Sequence, residues 1–145
     1  MLQLTPSQLI PHAGSMSLLD RVVSWDQQQV TCFTESHRSL ENPLRRHGQL
    51  SAIHAIEYGA QAVAVHGGLL AYARGEALSP GYLAALRQIK LHQSRLDEIE
   101  SALTVIATQL LSDAGNFMYT FRMTADDRPI ADGRVMVIVQ PEVST

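Results

Sequence analysis

The chain has 145 residues, 46% hydrophobic and 17% charged, which suits one folded domain with a single core and excludes a disordered polymer. Its formal net charge of −3 gives no electrostatic reason to expect nucleic acid or an anionic membrane as partner. One cysteine, Cys32, excludes an internal disulfide and a multi-cysteine zinc site.

Thr5-Pro6-Ser7-Gln8 has the pattern of a helix start, with Thr5 as cap, Pro6 at the first helical position and Gln8 closing a capping box. No charged segment followed by an apolar run marks a signal peptide, so a cytoplasmic location is expected. The runs 17–26 and 29–36 read as a hairpin of two strands around the polar turn Asp26-Gln27-Gln28. An irregular stretch over 37–50, "HRSLENPLRRHGQL", follows, and loops of that size are often functional. From Ser51 to about Tyr72 the apolar residues Ile53, Ile56, Ala60, Val63 and Ala64 recur at helical spacing, with Ser51 as cap and Gly67-Gly68 weakening or ending the helix. This helix is apolar over much of its circumference, the mark of an enclosed helix. Glu57, Gln61 and two histidines make the stretch a poor membrane span.

Four more strand-like runs follow, at 82–93, 102–111, 116–125 and 134–140, separated by polar turns, the last of these at 125–129. In the third, Phe117, Tyr119, Phe121 and Met123 alternate with Met118, Thr120, Arg122 and Thr124, the period of a strand. The last run is apolar on both faces, which predicts a central, doubly covered strand. Helix and strands are segregated along the chain, so the fold class is α+β: one domain over 1–145, with an antiparallel sheet curled around a single helix.

The segment "SAIHAIEYGAQAVAVHGG" (51–68) places one carboxylate, Glu57, inside an apolar helix. A buried ionised carboxylate is costly unless it is paired, so Glu57 either ties helix to sheet or does chemistry. Gln61 lies one turn later on the same face and can orient Glu57 or bond backbone. His54, one turn before, forms a His-x-x-Glu pair, which is too few ligands for a metal site. His66, near the helix end, reads as packing or capping, and His37 and His92 as loop and strand-face residues. Asp20 and Arg21 are neighbours in a strand and point to opposite faces, so structural roles at the strand entry are expected.

Two segments carry a resemblance. "LIPHAGSMSLLDRVVSWD" (9–26) resembles the opening of hotdog-fold 3-hydroxyacyl-(acyl carrier protein) dehydratases, with its Pro-His and Leu-Leu-Asp-Arg-Val motifs. "AIEYGAQAVAVHGGLL" (55–70) resembles their central helix, with a Glu-x-x-Ala-Gln core. The branch most similar is that of small dehydratases linked to aryl-polyene and other fatty-acid-like pathways. The resemblance implies a hotdog fold. It implies an active site between subunits whose sheets join, in a dimer or dimer of dimers. It also implies a substrate carried as a thioester on the phosphopantetheine arm of an acyl carrier protein or coenzyme A, with no metal or bound organic cofactor. Glu57 would be the acid–base residue. The amide of Ala52 or Ile53, at the helix N-terminus, would hold the thioester oxygen, a place where free N–H groups and the helix dipole favour negative charge.

The chain departs from the family at one place. The family's catalytic histidine stands fourteen residues before the helix glutamate, where this chain has Pro43. Two histidines could take its role: His47, in the replacement loop "NPLRRHGQL", and His12, in the Pro-His motif. Each has a bland alternative, His47 as a solvated loop residue beside Arg45 and Arg46, and His12 as a structural bond to the loop entering the first strand. Three functions follow. The first is dehydration of a 3-hydroxyacyl thioester. The second is hydrolysis of an acyl thioester, since hotdog thioesterases also use a helix carboxylate. The third is a catalytically degenerate subunit that stabilises a second, active hotdog chain.

Overall fold

The computed structural model describes residues 5–6, 17–76 and 81–139, with the side chain of Tyr82 excepted. The helix expected after Thr5 falls almost wholly outside them, as does His12. Six strands form one antiparallel sheet: β1 (Arg21–Trp25), β2 (Gln29–Thr34), β3 (Gly81–Leu91), β4 (Leu103–Asp113), β5 (Asn116–Ala125) and β6 (Arg128–Val139). Their spatial order is β1-β2-β4-β5-β6-β3. One helix, α1 (Ala55–Ala73), crosses the sheet and packs against β2, β4 and β5. A sheet wrapped on one long helix is the hotdog arrangement. No helix among the described residues is long and apolar enough to cross a membrane.

The β1–β2 turn is made by Asp26, whose carboxylate accepts from the amides of Gln28 and Gln29 at 2.8 and 2.9 Å. Those backbone bonds hold the Asp26 carboxyl below the usual carboxylate range. At the other end, β5 and β6 join through Asp126 and Asp127 alone, both at positive φ (49° and 63°). Aspartate tolerates that conformation in a two-residue hairpin turn. β6 therefore starts earlier than its apolar run suggests and contains Pro129, seated beside an irregularity in the β5 register.

The core lies between α1 and the sheet. Tyr58, Ala62 and Val65 of the helix meet Val105, Phe121 and Val135 of the strands, all at most 1% exposed. Gly59 makes the closest approach: a Cβ there would stand 2.5 Å from Phe121 Cγ. Gly67 and Gly68 do not end the helix, which continues to Ala73 and stops at Gly75 (φ 72°). There Glu76 N–H donates to Ala71 O at 2.9 Å and Gly75 N–H to Tyr72 O at 3.0 Å, closing a Schellman cap. β6 has neighbours on both sides, as expected, but the face expected to be covered is bare: Ile138 is 42% exposed. β3 is an edge strand paired with β6 only, and its Leu83, Leu86 and Leu91 are 50%, 39% and 40% exposed.

Candidate functional site

Residues 50–57 build the entry to the helix. Leu96 N–H donates to Leu50 O at 2.8 Å, and Ala52 N–H donates to Ser94 O at 2.9 Å, so this segment is stitched to 94–96 before the helix begins. Ser51 caps a 3-10 turn (Ala52–His54) by accepting from Ile53 N–H at 3.3 Å. The Ala52 amide, expected to face a thioester oxygen, is thus committed to Ser94. The Ile53 amide, on a longer bond to a hydroxyl, is the more available of the two. The Ile53 side chain is 53% exposed.

Glu57 sits in the first turn of α1, partly buried. Its Oε1 accepts from Gln61 Nε2 at 3.1 Å, and Gln61 Oε1 accepts from Leu18 N–H at 2.9 Å. Gln61 is 1% exposed, so its amide is a fixed strut between the helix and the approach to β1. Both roles foreseen for Gln61, orienting Glu57 and bonding backbone, are filled at once. Thr34 and Ser36 anchor the same approach, their hydroxyls donating to Leu18 O at 2.5 and 2.6 Å.

The stretch over 37–50, expected to be irregular, is not loose. Asn42, next to Pro43, donates from Nδ2 to Ser36 O at 3.0 Å and to Tyr58 Oη at 3.1 Å. Tyr58 Oη also shares a 2.8 Å bond with Ser36 Oγ, and burial raises the Tyr58 pKa. Arg45 donates to the carbonyls of Ser39, Gly48 and His37 at 2.8, 2.7 and 3.0 Å. These bonds form a polar clamp joining the loop to the residue after Glu57. Sequence reading did not single out Tyr58, Asn42 or Ser36. A tyrosine directly adjoining the carboxylate, in the small-residue first half of the helix, was the available signal.

His47 occupies the tip of a two-residue turn, with Arg46 and Gln49 exchanging both backbone bonds at 2.8 and 2.9 Å. It is exposed, at φ 53°, followed by Gly48 at φ 75°. Among the described residues no hydrogen bond links His47 to Glu57. His54 ends the 3-10 turn and makes no capping bond. No cluster of three or more metal-ligating side chains occurs among the described residues.

Two other histidines, His66 and His37, are held in structural bonds. His66 is fully buried; its Nε2–H donates to Asp26 O at 2.9 Å, and its Nδ1 accepts from Tyr119 Oη at 2.6 Å. Burial lowers the His66 pKa. His37, read as a loop residue, is on a 3-10 turn (Ser36–Arg38) and fully buried. Its Nε2–H is shared between the carbonyls of Ile99 and Ser101, both at 3.0 Å, and its Nδ1 has no partner. Its pKa is also lowered by burial. Asp20 accepts from Glu35 N–H at 2.7 Å, and Arg21 lies 4.5 Å over the Phe33 ring, the structural roles expected of them. Cys32 is buried, which pushes its thiol up to about 12 and removes it as a nucleophile.

A family model described as ApeP-like, ApeP dehydratase, matches residues 4–145. A solved structure of the dehydratase heterocomplex ApeI:P from Xenorhabdus doucetiae superposes with a TM-score of 0.87 at 24% identity, covering 97% of this chain and 94% of that one. A hypothetical thioesterase with coenzyme A from Streptococcus pneumoniae gives a TM-score of 0.62 at 13% identity, covering 86% and 88%. The PaaI protein of the phenylacetic acid degradation operon of E. coli gives 0.59 at 14% identity, covering 81% and 80%. No curated protein matches significantly in sequence.

Proposed function

The chain belongs to the ApeP-like dehydratase family, and on that premise we propose how its residues act on a 3-hydroxyacyl thioester. The reaction removes a proton from the α-carbon and expels the β-hydroxyl as water, leaving the 2-enoyl thioester in an aryl-polyene-type pathway. Glu57 carries the proton work. As a carboxylate it takes the α-proton; as the resulting acid it returns that proton to the leaving hydroxyl, so the residue ends as it began. The observation that carries this reading is the fixed geometry of Glu57, held by Gln61, which is itself locked to the Leu18 amide. Catalysis by a positioned base needs such restraint. The Ile53 amide supports the thioester oxygen as charge develops there. His47, on an exposed turn, or His12 assists.

The substrate arrives on the phosphopantetheine arm of an acyl carrier protein in the cytoplasm. The open edge of β3 supports a joined sheet. An eleven-residue edge strand with exposed leucines is an unsatisfied template for pairing. Leu83, Leu86 and Leu91 lie opposite Val137, Val135 and Ala131, on the helix side of the sheet, and overhang beyond α1. They offer apolar lining for an acyl tail.

A second reading is favoured by Pro43 and the polar clamp at the position of the family's histidine. In it, the chain completes its site only with a second, different hotdog chain that supplies the imidazole. Purified protein, alone and with such a chain, is incubated with a 3-hydroxyacyl carrier-protein thioester. Enoyl formation by the chain alone supports the first reading; formation only in the mixture supports the second. Release of free thiol without enoyl product in either case assigns a thioesterase and sinks both.

A further inference from the structure

The face of the sheet turned away from α1 carries charge that the proposed chemistry does not use. Phe121 of β5 packs against Gly59 of the helix, so its neighbours Thr120 and Arg122 point to the opposite face. Across the ladders Thr120 lies opposite Arg134, and Arg134 lies opposite Arg87; Arg122 lies opposite Asp132, and Asp132 lies opposite Lys90. Four cations from three adjacent strands therefore share one patch with a single carboxylate. That carboxylate, Asp132, is already engaged by His92 Nε2 at 2.9 Å. Arg87, Lys90, Arg122 and Arg134 are exposed and make no hydrogen bond or ion pair within 4.0 Å among the described residues. By contrast, Arg45, Arg74 and Arg95 are bonded to carbonyls or carboxylates.

Two features show more than a solvated basic face. Like charges directly opposite, as in the Arg87–Arg134 pair, are destabilising in a sheet, and a nearby anion would relieve that repulsion. The surface is also concave, with an open cavity of about 210 Å³ lined by Gln88, Lys90, Thr120, Arg122, Asp132 and Arg134. Gln88 borders it from a bulge in β3 between Arg87 and Lys90, at φ 54°. Bulges and such backbone conformations in non-glycine residues recur next to binding sites.

We propose that this cavity binds a phosphate-bearing anion, through Lys90, Arg122 and Arg134 with the Thr120 hydroxyl and the Gln88 amide. A phosphate offers oxygens in several directions and suits guanidinium forks approaching from different strands, whereas a flat acidic surface would not fill a concave site. The Asp132 carboxylate, paired with His92 Nε2 at 2.9 Å, offsets only part of the charge of the cations around it. The site lies across the sheet from Glu57 and stands whether or not Glu57 is catalytic.

The test titrates inorganic phosphate, phosphopantetheine, coenzyme A and dephospho-coenzyme A into the full chain by calorimetry, at ionic strength fixed with sodium chloride. Saturable binding of at least one probe is expected. Arg134→Gln and Arg122→Gln should each weaken it roughly tenfold or more, while Arg128→Gln, outside the cavity, should not. The binding probe should raise the melting temperature of the wild type and not of the two cavity variants, a readout that also confirms both variants fold. Coenzyme A binding more tightly than dephospho-coenzyme A assigns the anion to a nucleotide 3′-phosphate. Equal binding of phosphopantetheine and coenzyme A assigns it to the pantetheine phosphate, and binding of inorganic phosphate alone assigns it to the free ion. No saturable binding by any probe, or equal weakening in Arg128→Gln, overturns the proposal.

Discussion

Replacing Gly59 by alanine tests how closely the helix is laid on the sheet. In an exposed helix this change stabilises by about 1 kcal/mol, because glycine loses more backbone entropy than alanine. Here the new Cβ would lie 2.5, 2.7 and 2.8 Å from Phe121 Cγ, Cδ2 and Cδ1. Those atoms are at the root of a buried ring, 1% exposed, that cannot swing aside. Overpacking of this kind costs roughly 1–3 kcal/mol, and contacts this short belong in the upper part of that range. The expected net loss is about 1–2 kcal/mol, or roughly 2–8 °C in melting temperature for a chain of this size. Phe121→Leu in the Gly59→Ala background should recover more than the two single changes predict together, since the residues share one contact. Thermal melts of wild type, both single variants and the double variant give the cycle. A Gly59→Ala protein that melts a few degrees above wild type would show the helix property without the clash, and would refute the packing on which the position of Glu57 depends.

Gln61→Met is expected to leave the Leu18 amide buried without an acceptor, at a cost of about 1–3 kcal/mol, and to lower the dehydration rate by releasing Glu57; unchanged stability would mean the strut carries no weight. His37 and His66 both have folded pKa values below their ordinary value because of burial, whereas the unfolded chain titrates near 6.5. The unfolded state therefore binds protons first as pH falls, so stability is full above about pH 7 and declines as pH drops through about 6.5 toward the lowered folded values. Melts from pH 8 to 5 should show that decline, and a flat profile would contradict the burial of the two rings. Asp97, held at about 2 mainly by Arg95, adds a separate loss only at lower pH, between its unfolded value near 3.9 and that figure. His47→Asn should leave the melting temperature unchanged, since asparagine also accepts φ near 53°; a fall of about 100-fold in dehydration identifies His47 as the partner of Glu57, and an unchanged rate removes it from that role.

The elements were legible where side chains repeat with a clear period. Phe121 and Met123, read as one face of a strand, both lie in the core, and the β5 range was read to the residue. The chain misled where local propensity yielded to packing. Gly67-Gly68 reads as weakening or ending the helix, and the helix runs through it, because Val65, Leu69 and Ala71 on either side are buried and hold it. β6 begins before its apolar run because the β5–β6 ladder extends to Arg128, past two aspartates that accept positive φ. At the candidate site, the period of α1 made Glu57 and Gln61 visible as one face, and the structure joins them. The commitment of the Ala52 amide to Ser94 could not be read, since it depends on a segment forty-two residues away in sequence. The same is true of the clamp among Asn42, Tyr58 and Ser36, and of the burial of His37 under residues 99–101. Such bonds follow from the fold and have no local signature.

The proposed reaction turns on Glu57 as the group that moves protons. The most direct measurement is the rate of enoyl formation from a 3-hydroxyacyl carrier-protein thioester by wild type and Glu57→Gln, each alone and with a second hotdog chain, with melting temperatures recorded alongside. Glutamine keeps the size of the side chain and an oxygen to accept from Gln61 but cannot exchange the proton. The expected result is a folded variant that is slower by about 100-fold or more in whichever assembly is active. A folded Glu57→Gln protein that forms enoyl product at the wild-type rate would contradict it.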